Sequence, residues 1–142
     1  KALRLKYKFF ITFDADDQHP YKKIPIFLKK LRLNKADIVI GQRKKFPRFS
    51  EYLFSFYSKN KIGVPDPING FKAIKSDVIK KIGYFDKIDS LTSQILFNAH
   101  RLGCKIQNVK INVKEREDEP RIGGMIKSNY KILKSLVRII LN

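Results

Sequence analysis

Short apolar runs alternate with amphipathic segments along this chain. Residues 7–13 and 36–40 are rich in β-branched and aromatic side chains, which is typical of buried strands. Between them, residues 20–33 carry apolar side chains at helical spacing, with lysines and arginines on the other face. The order strand, helix, strand predicts a βαβ unit, so the two strands should be parallel and their carboxyl ends should share one edge of the sheet.

The second half of the chain continues with shorter elements. The pattern predicts helices over 50–59, 76–82 and 92–102, a short strand within 69–74, and an edge or antiparallel strand over 105–113. A last helix is predicted over 124–141. Its apolar stripe and the basic stripe beside it are Ile126, Tyr130, Leu133, Val137 and Ile140, and Lys127, Lys131, Lys134 and Arg138. Such a helix can lie on an anionic membrane or pack on its own domain, and the pattern leaves both open.

Charge narrows the class of partner. The chain has 31 Lys and Arg against 13 Asp and Glu, a formal net charge of +18, which favours an anionic partner without choosing among nucleic acid, membrane and phosphorylated substrate. Its 142 residues, 43% of them hydrophobic, are enough for one globular domain over 1–142. The single Cys104 excludes an internal disulfide. Because the sequence starts at Lys1 without a Met, we expect a piece of a longer protein.

The first predicted strand ends in a cluster of acids. Asp14, Asp16 and Asp17 follow it directly, together with Gln18 and His19. Clustered carboxylates repel one another unless a cation or a proton lies among them, and oxygen ligands suit hard cations. The sequence therefore predicts a magnesium or manganese site held by Asp14, Asp16 and Gln18, although a polar loop that caps the next helix would have the same composition.

Arginines and one loop carboxylate complete the candidate chemistry. Arg43 follows the second strand, so it should lie beside the acids, with Arg48 and Arg116 or Arg121 nearby. A divalent ion and arginines together can hold a diphosphate and neutralise the charge that develops as it leaves. Asp66 lies between two prolines, so it is a rigid carboxylate that can orient an acceptor or act as a base.

A series of motifs carries a family resemblance. FDADDQHP, KIPIFL, ADIVIGQR, PRFS, DPINGFKAI and AHRLGCKI occur in this order, and a late arginine follows. The series resembles family 2 glycosyltransferases, and within them the dolichol-phosphate mannose synthases and polyprenyl-phosphate sugar transferases. It covers nearly the whole chain.

The resemblance implies a fold and a set of roles. The fold is a partial GT-A fold, a mostly parallel sheet flanked by helices, with a membrane-facing amphipathic helix over 124–142 and with the family's N-terminal nucleotide-binding segment missing. Asp14, Asp16 and Gln18 match the DXD metal motif, and Asp66 with Gly70 and Phe71 matches the D-x-x-x-G-F element. The implied phosphate contacts are Asp14, Asp16, Arg43, Arg48, Ser50, Arg116 and Arg121. Arg43 and Asp66 are the implied catalytic residues.

The implied function is metal-dependent sugar transfer. The donor is a nucleotide-diphosphate sugar, the acceptor a polyprenyl (dolichyl) phosphate, and the metal magnesium or manganese. The protein would be peripheral on the cytoplasmic membrane face, and no nucleic acid partner is expected. Relatives often carry a Glu where this chain has Gln94, which fits an acceptor that is already an anion and equally fits an inactive relative.

Two other functions stay open at this point. An apolar strand followed by D-x-D is also the nucleophile motif of haloacid-dehalogenase-like phosphatases, although that family prefers Thr or Val at the position of Gln18. A basic module that binds nucleic acid or an anionic membrane without catalysis would share the net charge.

Overall fold

The computed structural model describes residues 6–13, 20–113 and 124–142. These ranges form an α/β structure of four strands and five helices. In chain order they are β1 (Phe9–Thr12), a 3₁₀ turn (Tyr21–Lys23), α1 (Ile24–Arg32), β2 (Ile38–Gln42), α2 (Phe49–Ile62), β3 (Lys72–Lys75), α3 (Ser76–Ile82), α4 (Gln94–Arg101), β4 (Ile106–Lys110) and α5 (Met125–Ile140).

The four strands form one mixed sheet in the order β1-β3-β2-β4. β3 runs antiparallel to both of its neighbours, and only β2 and β4 pair in parallel. The prediction of a mostly parallel sheet is therefore wrong for the described strands. The physical reason is the short strand β3, which lies between β1 and β2 and runs in the opposite direction to both. β4 is an edge strand of this sheet, as one of the two predicted alternatives had it.

β1 and β2 still point the same way, because each is antiparallel to the strand between them. Their carboxyl ends and the amino end of β3 therefore share one edge of the sheet. Thr12, the last residue of β1, pairs with Lys72, and its hydroxyl donates to the carbonyl of Gly70 at 2.8 Å. On the other side of β3, the amide of Gly41 donates to the carbonyl of Phe71 at 2.9 Å.

Each face of the sheet has its own apolar core. Ile38 and Ile40 of β2 face a cluster that includes side chains of α2, α3, α4 and α5. Val39 faces the opposite cluster, where Phe27 of α1 stacks on Phe71 with ring centroids 4.2 Å apart. Because successive side chains of a strand point to opposite faces, a strand buried on both faces reads as a continuous apolar run, which is the pattern of residues 38–40.

Helix α5 packs on the domain through an unexpected set of side chains. Its buried residues are Ser128, Ile132, Ser135 and Ile139. The five residues of the predicted apolar stripe are instead between 38% and 87% exposed. On α2, the rings of Phe49 and Phe56 are also more than 70% exposed. Within the described ranges, no helix is both long and apolar enough to cross a membrane.

Candidate functional site

Arg43 lies one residue beyond β2, at the shared edge of the sheet. Its backbone N–H and its Nε donate to Oδ2 of Asp66 at 3.0 and 2.9 Å, and its Nη2 donates to Oδ1 at 2.9 Å. The Asp66 residue is 1% exposed. The structure thus brings together the two residues predicted to be catalytic, as a two-oxygen ion pair that fixes the plane of the guanidinium.

Glu51 joins a second arginine to this pair. Nη2 of Arg43 donates to Oε2 of Glu51 at 2.9 Å, and Nη1 of Arg48 donates to Oε1 at 2.8 Å. Glu51 is 2% exposed, whereas each arginine side chain keeps 21% of its surface exposed. One buried carboxylate therefore holds two guanidinium groups side by side, each with part of its surface open to solvent.

The surroundings keep Arg43 charged. Burial alone lowers the pKa of its guanidinium, but hydrogen bonds and charges from Asp66 and Glu51 outweigh burial and raise that pKa above its usual value. The guanidinium carbon also lies 5.3 Å from the ring centroid of Phe46, a cation–π contact. Phe46 in turn meets the edge of Tyr52, at 5.3 Å between ring centroids. Arg43 is therefore a fixed, permanently charged group at the strand end.

The turn after Asp66 fixes this carboxylate in place. Nδ2 of Asn69 donates to Oδ2 of Asp66 at 3.1 Å, while Oδ1 of Asn69 accepts from the amide of Phe71 at 2.8 Å. Oδ2 of Asp66 thus accepts from both Arg43 and Asn69, and Oδ1 accepts from Arg43. This arrangement favours a role in holding Arg43; the base role stays a prediction.

A buried lysine lies at the same edge. The side chain of Lys72 is enclosed in the protein, and its Nζ donates to the carbonyl of Asn69 and, at 2.9 Å, to Oγ1 of Thr92. Lys72 is not among the residues predicted from the sequence to be functional. Its only signal in the sequence is a charged residue directly after the Gly70-Phe71 step, where a strand begins.

Ser50 occupies a structural position between two helices. It is buried in the first turn of α2, and its amide and hydroxyl donate to Oδ1 of Asn129 at 3.1 and 2.6 Å. Asn129 belongs to α5, so its amide oxygen satisfies a free N–H at the start of α2. The predicted phosphate contact of Ser50 stays a prediction.

Other predicted site residues fall in segments that the structure does not describe. Asp14, Asp16 and Gln18 lie in 14–19, and Arg116 and Arg121 lie in 114–123. In the described parts of the chain, no group of three or more His, Cys, Asp or Glu residues could hold a metal ion. The predicted metal site is therefore neither confirmed nor contradicted.

The first part of the chain matches a known protein family. Residues 3–57 match the model of glycosyl transferase family 2. The matched stretch contains Asp14, Asp16, Gln18, Arg43, Arg48 and Ser50, and it ends before Asp66. It supports a family 2 glycosyltransferase-like domain, and the mixed sheet with helices on both faces is consistent with part of a GT-A-like fold.

Two archaeal proteins resemble nearly the whole chain. The uncharacterized protein MJ1222 of Methanocaldococcus jannaschii is 29% identical over 150 residues, which cover 96% of this chain and 62% of the relative. The uncharacterized protein MJ0544 of the same organism is 30% identical over 148 residues, which cover 95% of this chain and 64% of the relative. The chain thus spans less than two thirds of the length of these relatives.

Proposed function

We propose that this chain is the part of a family 2 glycosyltransferase that holds the diphosphate of a nucleotide-sugar donor and passes the sugar to a polyprenyl phosphate. The observation that carries the proposal is the buried cluster at the carboxyl end of β2. There, Asp66 and Glu51 hold the guanidinium groups of Arg43 and Arg48. The acidic motif of the sequence follows β1, whose carboxyl end lies at the same edge of the sheet. In open α/β sheets, ligands bind at such an edge.

The two arginines suit a phosphate ligand. A guanidinium that is locked in one plane loses little conformational entropy when it binds an anion, and arginine forks match phosphate oxygens. The cluster itself is close to neutral, because the two arginines face two carboxylates. Lys44 and Lys45, which follow Arg43 and are exposed, add positive potential around it.

A divalent metal is part of the proposal. Asp14, Asp16 and Gln18 offer the oxygen ligands that magnesium and manganese prefer. The bound ion would neutralise charge on the departing nucleoside diphosphate. Arg43 and Arg48 then orient the same phosphates, and Asp66 keeps Arg43 in place while transfer occurs. An acceptor phosphate is already an anion, so it needs no strong base to attack the sugar.

We also place the protein on the cytoplasmic face of an anionic membrane. The apolar side chains proposed to enter the membrane are the exposed stripe of α5 and the exposed Phe49 and Phe56 of α2, a helix that packs against α5. Lysines and an arginine on α5 flank the stripe, and each basic residue near an anionic surface contributes about 1 kcal/mol. A polyprenyl phosphate in that membrane would present its charged head to the arginines. We expect no nucleic acid partner.

The test is a transfer assay with the full-length protein. Radiolabelled nucleotide-diphosphate sugars are mixed with polyprenyl phosphate vesicles in the presence of Mn²⁺ or Mg²⁺, and labelled lipid is measured. We expect metal-dependent label transfer from one of the donors, and its loss in the Asp16→Ala and Arg43→Gln variants. The control is Asp77→Asn, an exposed acid on α3 that should leave transfer unchanged. Absence of transfer with every donor, or full activity of Asp16→Ala, would contradict the proposal.

A further inference from the structure

Glu51 is one of only 13 acids in the sequence, and it is buried. It is the only acid between Asp37 and Asp66, and it lies on the first turn of α2, directly behind the two arginines. Each of its two oxygens accepts from a different guanidinium. A buried carboxylate is costly unless it is fully paired, so its pairing with both arginines determines where they stand.

The two arginines depend on Glu51 to different degrees. Arg43 is also held by both oxygens of Asp66. Among the described residues, the side chain of Arg48 has its hydrogen bond with Glu51 alone. Within the same ranges, Nη1 of Arg43 donates no hydrogen bond, and the Arg43 side chain keeps 21% of its surface exposed. Glu51 therefore holds Arg48 beside Arg43.

The position of Glu51 depends in turn on α5. Asn129 accepts from Ser50, the residue before Glu51, and its own Nδ2 donates to the carbonyl of Met125 at 2.9 Å. The contact anchors the first turn of α2 on the helix that carries the exposed apolar stripe. The placement of the arginine pair is thereby connected to the placement of α5.

We propose that Glu51 is a positioning residue that joins Arg43 and Arg48 into one phosphate-binding pair, with Asn129 fixing Glu51 in register. This inference rests on the proposed function, because it assigns the pair to phosphate. It makes a prediction opposite to that of simple electrostatics. Removal of the negative charge of Glu51 should strengthen anion binding through the general field of the protein, whereas loss of the positioning should weaken it.

The experiment measures the affinity of the full chain for inorganic pyrophosphate by calorimetric titration. We expect Glu51→Gln to weaken binding about tenfold, the effect of one lost charge-assisted contact, although the variant is more positive by one charge. Arg48→Gln should weaken binding by a similar factor, and the double variant little further, because Arg48 is already displaced when Glu51 is gone. Asn129→Ala, which removes the oxygen that accepts from Ser50, should weaken binding by a smaller factor.

The control is Asp77→Asn. Asp77 also pairs with a basic residue three positions away on a helix, but on an exposed surface, so the loss of its charge should leave pyrophosphate binding unchanged or slightly tighter. Equal or tighter binding by Glu51→Gln overturns the positioning role, as do additive effects of Glu51→Gln and Arg48→Gln. A wild-type chain that binds no pyrophosphate overturns the phosphate site of the proposed function itself, so the two failures are distinguishable.

If Glu51→Gln fails to fold, Glu51→Asp replaces it. The shorter carboxylate keeps the charge but cannot reach both guanidinium groups, so weaker binding is expected again. Undiminished binding by a folded Glu51→Asp variant would contradict the proposal.

Discussion

The pair of Arg43 and Asp66 permits a quantitative test of how the site is held. The perturbation is a double-mutant cycle with Arg43→Met, Asp66→Asn and the combined variant. In Asp66→Asn, the oxygen that accepts from Asn69 and from two Arg43 donors can remain, but the new amide nitrogen meets Nη2 of Arg43, so two donors face each other. In Arg43→Met, the buried carboxylate of Asp66 loses the two donors of the Arg43 side chain and keeps that of Asn69.

The magnitude follows from the burial of the two partners. Removing one partner of a buried ion pair costs about 3 to 5 kcal/mol, and Arg43 keeps 21% of its side chain exposed, so we take the lower end. Each single variant should lose about 3 kcal/mol of unfolding free energy. The double variant should lose about 4 kcal/mol rather than the sum, because it leaves no uncompensated buried charge, which gives a coupling of about 2 kcal/mol.

The assay is urea denaturation followed by circular dichroism at neutral pH. The matched control cycle uses Asp77→Asn and Lys80→Met, whose exposed ion pair should show a coupling below about 0.5 kcal/mol. If the effects of Arg43→Met and Asp66→Asn are additive, Asp66 does not hold the guanidinium, and the reasoning about this site fails.

Two further predictions concern surfaces away from the arginines. Burial alone raises the pKa of Asp37, but hydrogen bonds from Lys75 and from the amide of Lys105 outweigh it, so the pKa is lowered overall. Asp37 should therefore stabilise the fold above pH 3.8, and this stabilisation should disappear as the pH falls through the lowered pKa of Asp37. Asp37→Asn should remove this pH-dependent stabilisation. Denaturation curves at pH 3 to 6 in which the wild type and Asp37→Asn change alike would contradict the prediction. Ile126→Asn should weaken binding to vesicles that contain phosphatidylglycerol about tenfold, because the 87% exposed Ile126 would be buried in the membrane. The control is Leu33→Asn, an exposed position directly after α1, which should not weaken binding. Equal sedimentation of both variants with vesicles would exclude the α5 surface.

Periodicity located most elements because their apolar positions are regular. The strand predicted over residues 36–40 is buried on both faces, and the helix predicted over residues 20–33 has one apolar face. In both segments the residues that the fold buries are apolar in the sequence. The position of β3 was not predictable in this way. Strand order depends on long-range pairing, here Phe9 with Lys75 and Ile38 with Ile74, which leaves no local signal.

Helix α5 shows a second limit of the pattern. Its apolar stripe predicted the face that should be buried on the domain or on a membrane, but Ser128 and Ser135 lie on the face that packs on the domain. Small polar residues allow close helix packing, so a helix can be buried on its less apolar side.

For the site residues too, the sequence indicated individual positions but not the contacts between them. Arg43 and Asp66 were predicted because each stands at a recognisable break, a strand end and a proline-flanked loop. Their pairing across 23 positions was not predicted, and neither was the bridge through Glu51. Glu51 had one usable signal, since it is a lone acid within a basic stretch, three residues after Arg48 on a helix.

The most direct test of the account asks whether the metal ion binds beside Arg43. Mn²⁺ is added to the isotopically labelled full chain with a nucleoside diphosphate, and paramagnetic broadening is compared at two backbone amides, those of Arg43 and Ile38. These amides lie at opposite ends of β2, about 16 Å apart at about 3.3 Å per residue. The account predicts strong broadening at Arg43, little at Ile38, none with Mg²⁺, and loss of the difference in Asp16→Ala. Equal broadening at both amides, or an unchanged difference in Asp16→Ala, would contradict it.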